Sequence, residues 1–562
     1  MGRSRSECQG VRTRLIASLT AALLLLAGTV TVMGAKADQP LGVTLANKAR
    51  QAPLFQVGFA KELLDPNPAD IKAGTVHLGG YGIFPTRAST GPMTLPDGTP
   101  EHLYVRAFAV KSPSGVFLGA DLENQGTFAS YKQCVCGIWD VRQQVANDRH
   151  VPVDSIVVNS DHSHSGPDLI GLWGGVPVSY LHYVHDQTVK ALEAAFDNAQ
   201  PAHLLAGSTD PVMPSPADGG YLPGTATPGE HLVHSQFGKD TVTGHDDGLV
   251  DTELRVLQAV TPTGQLLGTM INYAAHATIT DSGNLGYSAD WPGWAARKTE
   301  AALGEPVAVT MVADVGRSQP PRPNSDAQCG QANHPTCDSD KLDTYSRVLL
   351  PFIQNAVADA TPVNSDQIGN REVFTREPGT NAALLAASYG GVTPLNGYSA
   401  YRGDLPPWIT GTLVGTFVSA HRIGDLLLTA NPGEAYPDIR FALKNSVKGY
   451  SKAFTFGLAN DQLGYLIAPT TEYPWITASN PGNDNALFNV SATYGDHVLC
   501  TQTSEATTLG FTPTGATQPY GADANPPACA AYNVADLVPM GPAPQQPWPF
   551  GDGTTLSPPV SP

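Results

Sequence analysis

The segment Asp161-His162-Ser163-His164-Ser165-Gly166-Pro167 follows the apolar run Ile156–Asn159, with Ser160 between. Alternate residues of an extended backbone face the same way, so His162 and His164 can present two imidazoles to one point, a geometry that suits a metal ion. His276 ends the apolar run Leu266–Ala275. Glu434 follows Leu426–Ala430 through the turn Asn431-Pro432-Gly433, and Tyr465 lies just past Ala453–Leu458, after Asn460 and Asp461. Ligands of open α/β sheets gather beyond the carboxyl ends of strands. Four segments are therefore expected to bring imidazoles, a carboxylate and a phenol to one sheet edge. Nitrogen and oxygen donors with a position left open suit catalytic Zn²⁺. Each residue also has an ordinary structural reading: the His-x-His as a hydrogen-bonded pair, His276 as a core histidine, Glu434 as an acid before the helix Ala435–Asn445.

The elements that must position these residues alternate along the chain from about Phe55 to Tyr494. Val116–Asp121, Ser155–Asn159, Leu254–Val260, Leu266–Tyr273, Val307–Val312, Leu426–Thr429 and Ala453–Leu458 are short Val- and Ile-rich runs that predict strands. Tyr183–Asp197, Trp294–Leu303, Leu342–Ala360 and Ile439–Val447 carry apolar residues at helical spacing. The turn Thr261-Pro262-Thr263-Gly264 joins two strands directly, so an antiparallel pair interrupts any parallel sheet. The expected fold is α/β: a mixed sheet with flanking helices and the site at the strand carboxyl ends. The glycines of Gly79-Gly80-Tyr81-Gly82 read as a tight turn, because the strand before and helix after that a phosphate loop requires are missing.

Asp161–Pro167, His276 with Tyr287-Ser288-Ala289-Asp290, Ala313-Asp314-Val315, Pro432-Gly433-Glu434, Gly457-Leu458-Ala459-Asn460 with Tyr465, and Ala492–His497 occur in the order found in neutral/alkaline ceramidases. From about Gln56 to His497 the chain resembles the catalytic domain of that family. The resemblance implies a zinc ion on His162, His276, Glu434 and Tyr465, with His164 as a catalytic residue. It also implies hydrolysis of the amide of N-acylsphingosine by metal-activated water. Asp290 and Asp314 are candidates to support the metal-binding imidazoles, which usually donate their second N–H to a carboxylate or carbonyl. The chain departs from the family in places. Where the family has a serine directly after Gly-Asp-Val, Asp314-Val315 is followed by Gly316, Arg317 and then Ser318, a displaced candidate for that catalytic position. The arginine of an Asn-Arg-Ser-Pro segment is missing near Pro214-Ser215-Pro216, and an apolar residue near Leu487 or Phe488 replaces an oxyanion-holding tyrosine. These changes leave open another ester, lactone or amide as substrate, or a non-enzymatic lipid-binding relative. A serine hydrolase fits poorly, because Gly397-Tyr398-Ser399-Ala400-Tyr401 fails the Gly-x-Ser-x-Gly elbow at its last place.

The chain has 562 residues, 41% of them hydrophobic and 15% charged, enough for a substantial core. Its net charge of −18 repels polyphosphate, so nucleic acid is not an expected partner. It also provides no basic patch to hold anionic lipid, which leaves transient contact with a lipid surface holding a ceramide-like substrate. Arg3, Arg5, Arg12 and Arg14 precede an apolar run from Leu15 to Gly34, and Ala35-Lys36-Ala37 supplies small–x–small cleavage chemistry. Residues 1–37 therefore read as a signal peptide of a secreted protein, with a retained anchor as the alternative because the run approaches the ~20 residues that span a bilayer. Residues 38–54 read as a linker, 55–499 as the hydrolase domain and 500–562 as a Pro/Gly-rich tail. Of the seven cysteines, Cys8 falls in the leader. The expected disulfides are Cys329 with Cys337 and Cys500 with Cys529. Cys134 and Cys136 lie too close for an easy bridge and have a thiolate metal pair as an alternative.

Overall fold

The computed structural model describes residues 54–82, 85–131, 133–214, 228–236, 249–321, 337–381, 401–402, 413–448, 453–468, 485 and 488–513. The leader, residues 38–53 of the expected linker, Cys329 and Cys529 lie outside the described residues, and Leu54 already belongs to the first strand. Among the described residues no helix is long and apolar enough to cross a membrane.

The chain enters through β1 (Leu54–Leu63), the hairpin β2 (Tyr104–Ser112) and β3 (Gly115–Leu122), helix α1 (Ile138–Arg149), β4 (Ile156–Ser160), helix α2 (Val178–Asp197) and β5 (Gln200–Thr209). The hairpin β6 (Leu254–Val260) and β7 (Leu266–Tyr273) follows, then helix α3 (Asp290–Leu303), β8 (Ala308–Val312) and helix α4 (Cys337–Asp359). Strands β9 (Ile368–Pro378), β10 (Leu413–Ile423) and β11 (Leu426–Ala430), helix α5 (Pro437–Ser446), β12 (Ala453–Phe456) and helix α6 (Tyr494–Thr508) complete the frame.

The larger sheet has the order β8-β7-β6-β5-β1-β2-β3-β4, with Thr361–Pro362 beside β5, and the smaller one runs β9-β10-β11-β12. Both are mixed: β7/β8, β3/β4 and β11/β12 are parallel, and the other named neighbours are antiparallel. Side chains alternate along the strands as the pleat requires. Phe108, Val110, Phe117 and Val157 share one apolar core with Met270, Val309, Leu428 and Phe454, so the sheets pack face to face. Ala107, Leu118, Leu122 and Val158 point the other way, against α1 and α2. Beneath β6 and β7, α3 and α4 cover Val256, Ile271 and Tyr273. The result is two sheets with helices on their outer faces.

In the strand order β4 and β8 are opposite edges, yet the candidate residues follow β4 and β7. The turn Gly457–Asn460 after β12 draws the two edges together. On the β4 side, Ser160 N donates to Leu458 O at 3.2 Å, Asn460 N donates to Val158 O at 2.7 Å, and the Asn159 amide donates to Gly457 O. On the β8 side, Gly457 N donates to Val312 O at 3.0 Å. Gly457 is required there, since a Cβ would lie 2.4 Å from Ala313 O. Across the curled interior, Arg106 of β2 bonds Glu123 at 2.7 Å, Glu300 at 2.5 Å and Ala308 O of β8 at 3.1 Å.

Two expectations change. Helix α6 runs through position 500 to Thr508, and Thr512–Pro513 pairs with Val447–Lys448, so the boundary placed at 499/500 cuts an ordered element. Cys134 and Cys136 form a disulfide with each other, which removes the thiolate metal reading. Cys337 and Cys500 are each disulfide-bonded.

Candidate active site

His162 lies two residues beyond β4 and His276 three beyond β7. Glu434 opens the short strand Glu434–Ala435, which pairs in parallel with Tyr465–Leu466 and sets Glu434 opposite Tyr465. That pairing depends on Gly433, where a Cβ would stand 2.3 Å from Gly464 O. Positive φ angles at His162 (63°), Asp290 (49°), Arg317 (62°), Leu458 (48°) and Asn460 (64°) cluster around these turns. A non-glycine residue in this region costs about 1–3 kcal/mol and persists only where its surroundings over-determine it.

The three side chains meet at one carboxylate oxygen. Glu434 Oε2 lies 3.3 Å from His162 Nε2 and 3.1 Å from His276 Nε2, with all three residues buried. Each ring is tethered through its other nitrogen to a backbone carbonyl: His162 Nδ1 to Gln125 O at 2.8 Å, His276 Nδ1 to Ser318 O at 2.9 Å. With a metal ion bound, the two Nδ1–H donors would leave both Nε2 lone pairs aimed at the centre, the tautomer a ligand needs. Burial opposes charge on Glu434, but the adjacent His162 and His276 hold its carboxyl well below the usual range. Its Oε1 accepts from Gln462 Nε2 at 3.4 Å. Donor atoms spaced 3.1–3.3 Å apart match the edge of a coordination shell with bonds near ~2.0–2.1 Å, so the residues fit a zinc-sized ion.

His164 is held differently. Its Nε2 is 3.3 Å from His162 Nε2, while its Nδ1 has no hydrogen-bond partner among the described residues. His162, His164 and His276 together form a cluster able to hold a metal. The Tyr81 ring meets the His164 ring edge-on at 4.8 Å, and Tyr81 Oη donates to Thr280 O at 2.6 Å. Buried Arg87 donates to His164 O at 2.6 Å and to Gly79 O, and lies over the Tyr81 ring. Gly80, at φ 91°, permits this approach, because a Cβ would fall 2.3 Å from the imidazole. Burial, with His162 and His276 alongside, lowers the His164 pKa well below its ordinary value.

The other expected residues support backbone. Asp290 accepts from Ile279 N, Thr280 N, Thr280 Oγ1 and Trp291 N, clamping the loop after His276. Asp314 accepts from the Asn431 amide at 2.7 Å and so steadies the turn into Glu434; burial pushes its pKa up to about 7. Neither carboxylate meets an imidazole, since carbonyls fill that role. Ser318 contributes its carbonyl to His276, and its hydroxyl is buried without a partner among the described residues. Tyr465 lines the cavities on both sides of His164. The sequence reading missed Gln125, Gln462, Tyr81 and Arg87. Gln125 follows the end of β3, and the strand-end rule that found His276 covers it too.

Among solved structures the chain is similar to neutral ceramidase from Pseudomonas aeruginosa, with a TM-score of 0.58 and 16% identity over 85% of this chain and 77% of that one. The chain has the neutral-ceramidase fold. A ceramidase complexed with C2 matches with a TM-score of 0.57 and 16% identity, over 85% of this chain and 78% of that one. No family model matches the chain, and no curated protein matches it. In this ceramidase fold the turn Gly457–Asn460 joins the sheet edges and the short pair at Glu434 and Tyr465 closes the centre.

Proposed function

We propose that the chain is a secreted zinc-dependent hydrolase that cleaves the amide bond of an N-acylsphingosine-like lipid, releasing a fatty acid and an amine. The observation that carries this reading is the single Glu434 oxygen 3.3 and 3.1 Å from two imidazole nitrogens, each ring tethered at Nδ1. His162, His276, Glu434 and Tyr465 would hold Zn²⁺. The bound ion supplies Lewis acidity, polarising the amide carbonyl and lowering the pKa of water toward ~7.

The protein's own groups do the rest. The carbonyls of Gln125 and Ser318 fix both ligand rings, so no reorganisation is needed when charge develops. His164, half-buried and neutral, faces the centre with Nε2, 3.3 Å from His162 Nε2; there it takes a proton from the attacking water and returns it to the departing amine. Ile170, Leu172, Trp173, Leu463 and Phe488 flank the centre with apolar surface that suits a lipid chain and excludes bulk water. Residues 1–37 would direct export and be removed.

Metal analysis and amide hydrolysis on the mature protein test the reading. It should contain about one zinc per chain and cleave a short-chain ceramide, and a chelator should abolish that activity. His276→Ala should lose metal and activity together. Full activity in that variant, or a protein that takes up no zinc, rejects the proposal.

A further inference from the structure

The cavity around the centre has two chemically different lobes that share Gly80, His164 and Tyr465. One, narrow at about 60 Å³, sets Ile170, Leu172, Trp173, Leu463 and Phe488 beside the polar groups of the centre itself, Gln125, His162, Glu434 and Gln462. The other is roomier, about 400 Å³, and is lined by Tyr81, His234, Gln236, Thr278 and Gln319. Among the described residues of this second lobe, Pro320 alone supplies an aliphatic ring. Its polar groups form a connected set: Thr278 Oγ1 donates to Gln319 Oε1 at 2.9 Å, and Gln319 Nε2 reaches Gln236 Oε1 at 3.5 Å.

An amide lying across the centre sends its acyl part to one lobe and its amine part to the other. The narrow lobe admits only the first carbons of a slender alkyl chain, against Ile170, Leu172 and Trp173. Covering the polar lobe with a second long chain would strip water from amide and hydroxyl groups and return no hydrogen bonds. Sites built to hydrogen-bond discriminate strongly against groups that lack the partner. Resting on the hydrolase reading above, we infer that the preferred substrates are N-acylated compact polar amines, such as amino alcohols or amino acids, over amides whose amine carries a second long chain.

The test compares kcat/KM of the zinc-loaded mature protein on N-octanoyl serinol, which keeps a hydroxylated head group without a tail, and on N-octanoyl sphingosine in mixed micelles. The serinol amide should be favoured at least tenfold, and Gln319→Leu or Gln236→Leu should shrink that ratio. Equal or better turnover of the sphingosine amide overturns the inference and leaves the hydrolase reading standing. A zinc-loaded protein that cleaves neither amide overturns the hydrolase reading, and this inference with it.

Discussion

At the scale of single residues, three histidines of one cluster are anchored in two ways. His162 and His276 are tied at Nδ1 to carbonyls, which commits each Nε2 to the centre. His164 has no such tie and is placed from outside, by the Arg87 guanidinium on its carbonyl and the Tyr81 ring on its imidazole. Arg87 is thus a positioning residue: it meets no ligand atom, yet it sets where the His164 nitrogen stands. Arg87→Ala should leave zinc content and KM near wild type while kcat falls on the order of 10- to 100-fold, as expected for a displacement of about 1 Å. The same substitution leaves the carbonyls of Gly79, His164 and Asn284 without this donor and should lower thermal stability, but lost stability alone does not separate kcat from KM. An unchanged kcat would show that His164 needs no such support.

At the scale of elements, the parts legible in the sequence are those whose apolar runs are uninterrupted. β6 and β7 fall at Leu254–Val260 and Leu266–Tyr273 as expected, because both faces of each are buried between layers. β2 was missed because Arg106 interrupts its pattern, and that charge is tolerated only through Glu123 and Glu300 on distant segments. The second half of helix α6, from position 500, read as tail because it is rich in threonine. Thr501, Thr503, Thr507 and Thr508 bond carbonyls four residues back, and Leu499 and Val498 provide a thin apolar stripe. The strand-end rule located His162, His276 and Glu434, but no local pattern could reveal that Gly457–Asn460 would bring the two edges of a sheet together. Close backbone approach is also what Gly316 provides: a Cβ there would lie 2.5 Å from Glu434 O and 2.8 Å from Ala435 O. Gly316→Ala should therefore shift Glu434 without altering any donor atom, and weaken zinc binding about 10- to 100-fold, the range for supporting groups of metal ligands. Competition with a chromogenic chelator measures it, and wild-type affinity would mean that the turn absorbs the methyl group.

At the scale of the whole molecule, the acidic chain buries several carboxylates, and their partners decide how stability depends on pH. Glu253, despite burial, is drawn down to about 2 by Arg255 and Arg440, so its contribution is present above the ordinary carboxylate pKa and fades as pH falls toward 2. Glu305 has the opposite sign. It follows α3, is 5% exposed, and accepts one hydrogen bond, from Thr269 Oγ1 at 2.9 Å, while its other oxygen has no partner among the described residues. Burial, reinforced by Glu300, raises its pKa to about 8. The folded protein then keeps a proton that the unfolded chain releases above about 4.5, so stability falls as pH rises from about 4.5 to about 8. Glu305→Gln retains a neutral acceptor for Thr269 and removes the titration. The fall in melting temperature between pH 5 and 8 should become shallower in the variant, which should be the more stable protein at pH 8. Melting curves that stay parallel across that interval would mean that Glu305 ionises inside the fold without consequence, and that its cavity is wet.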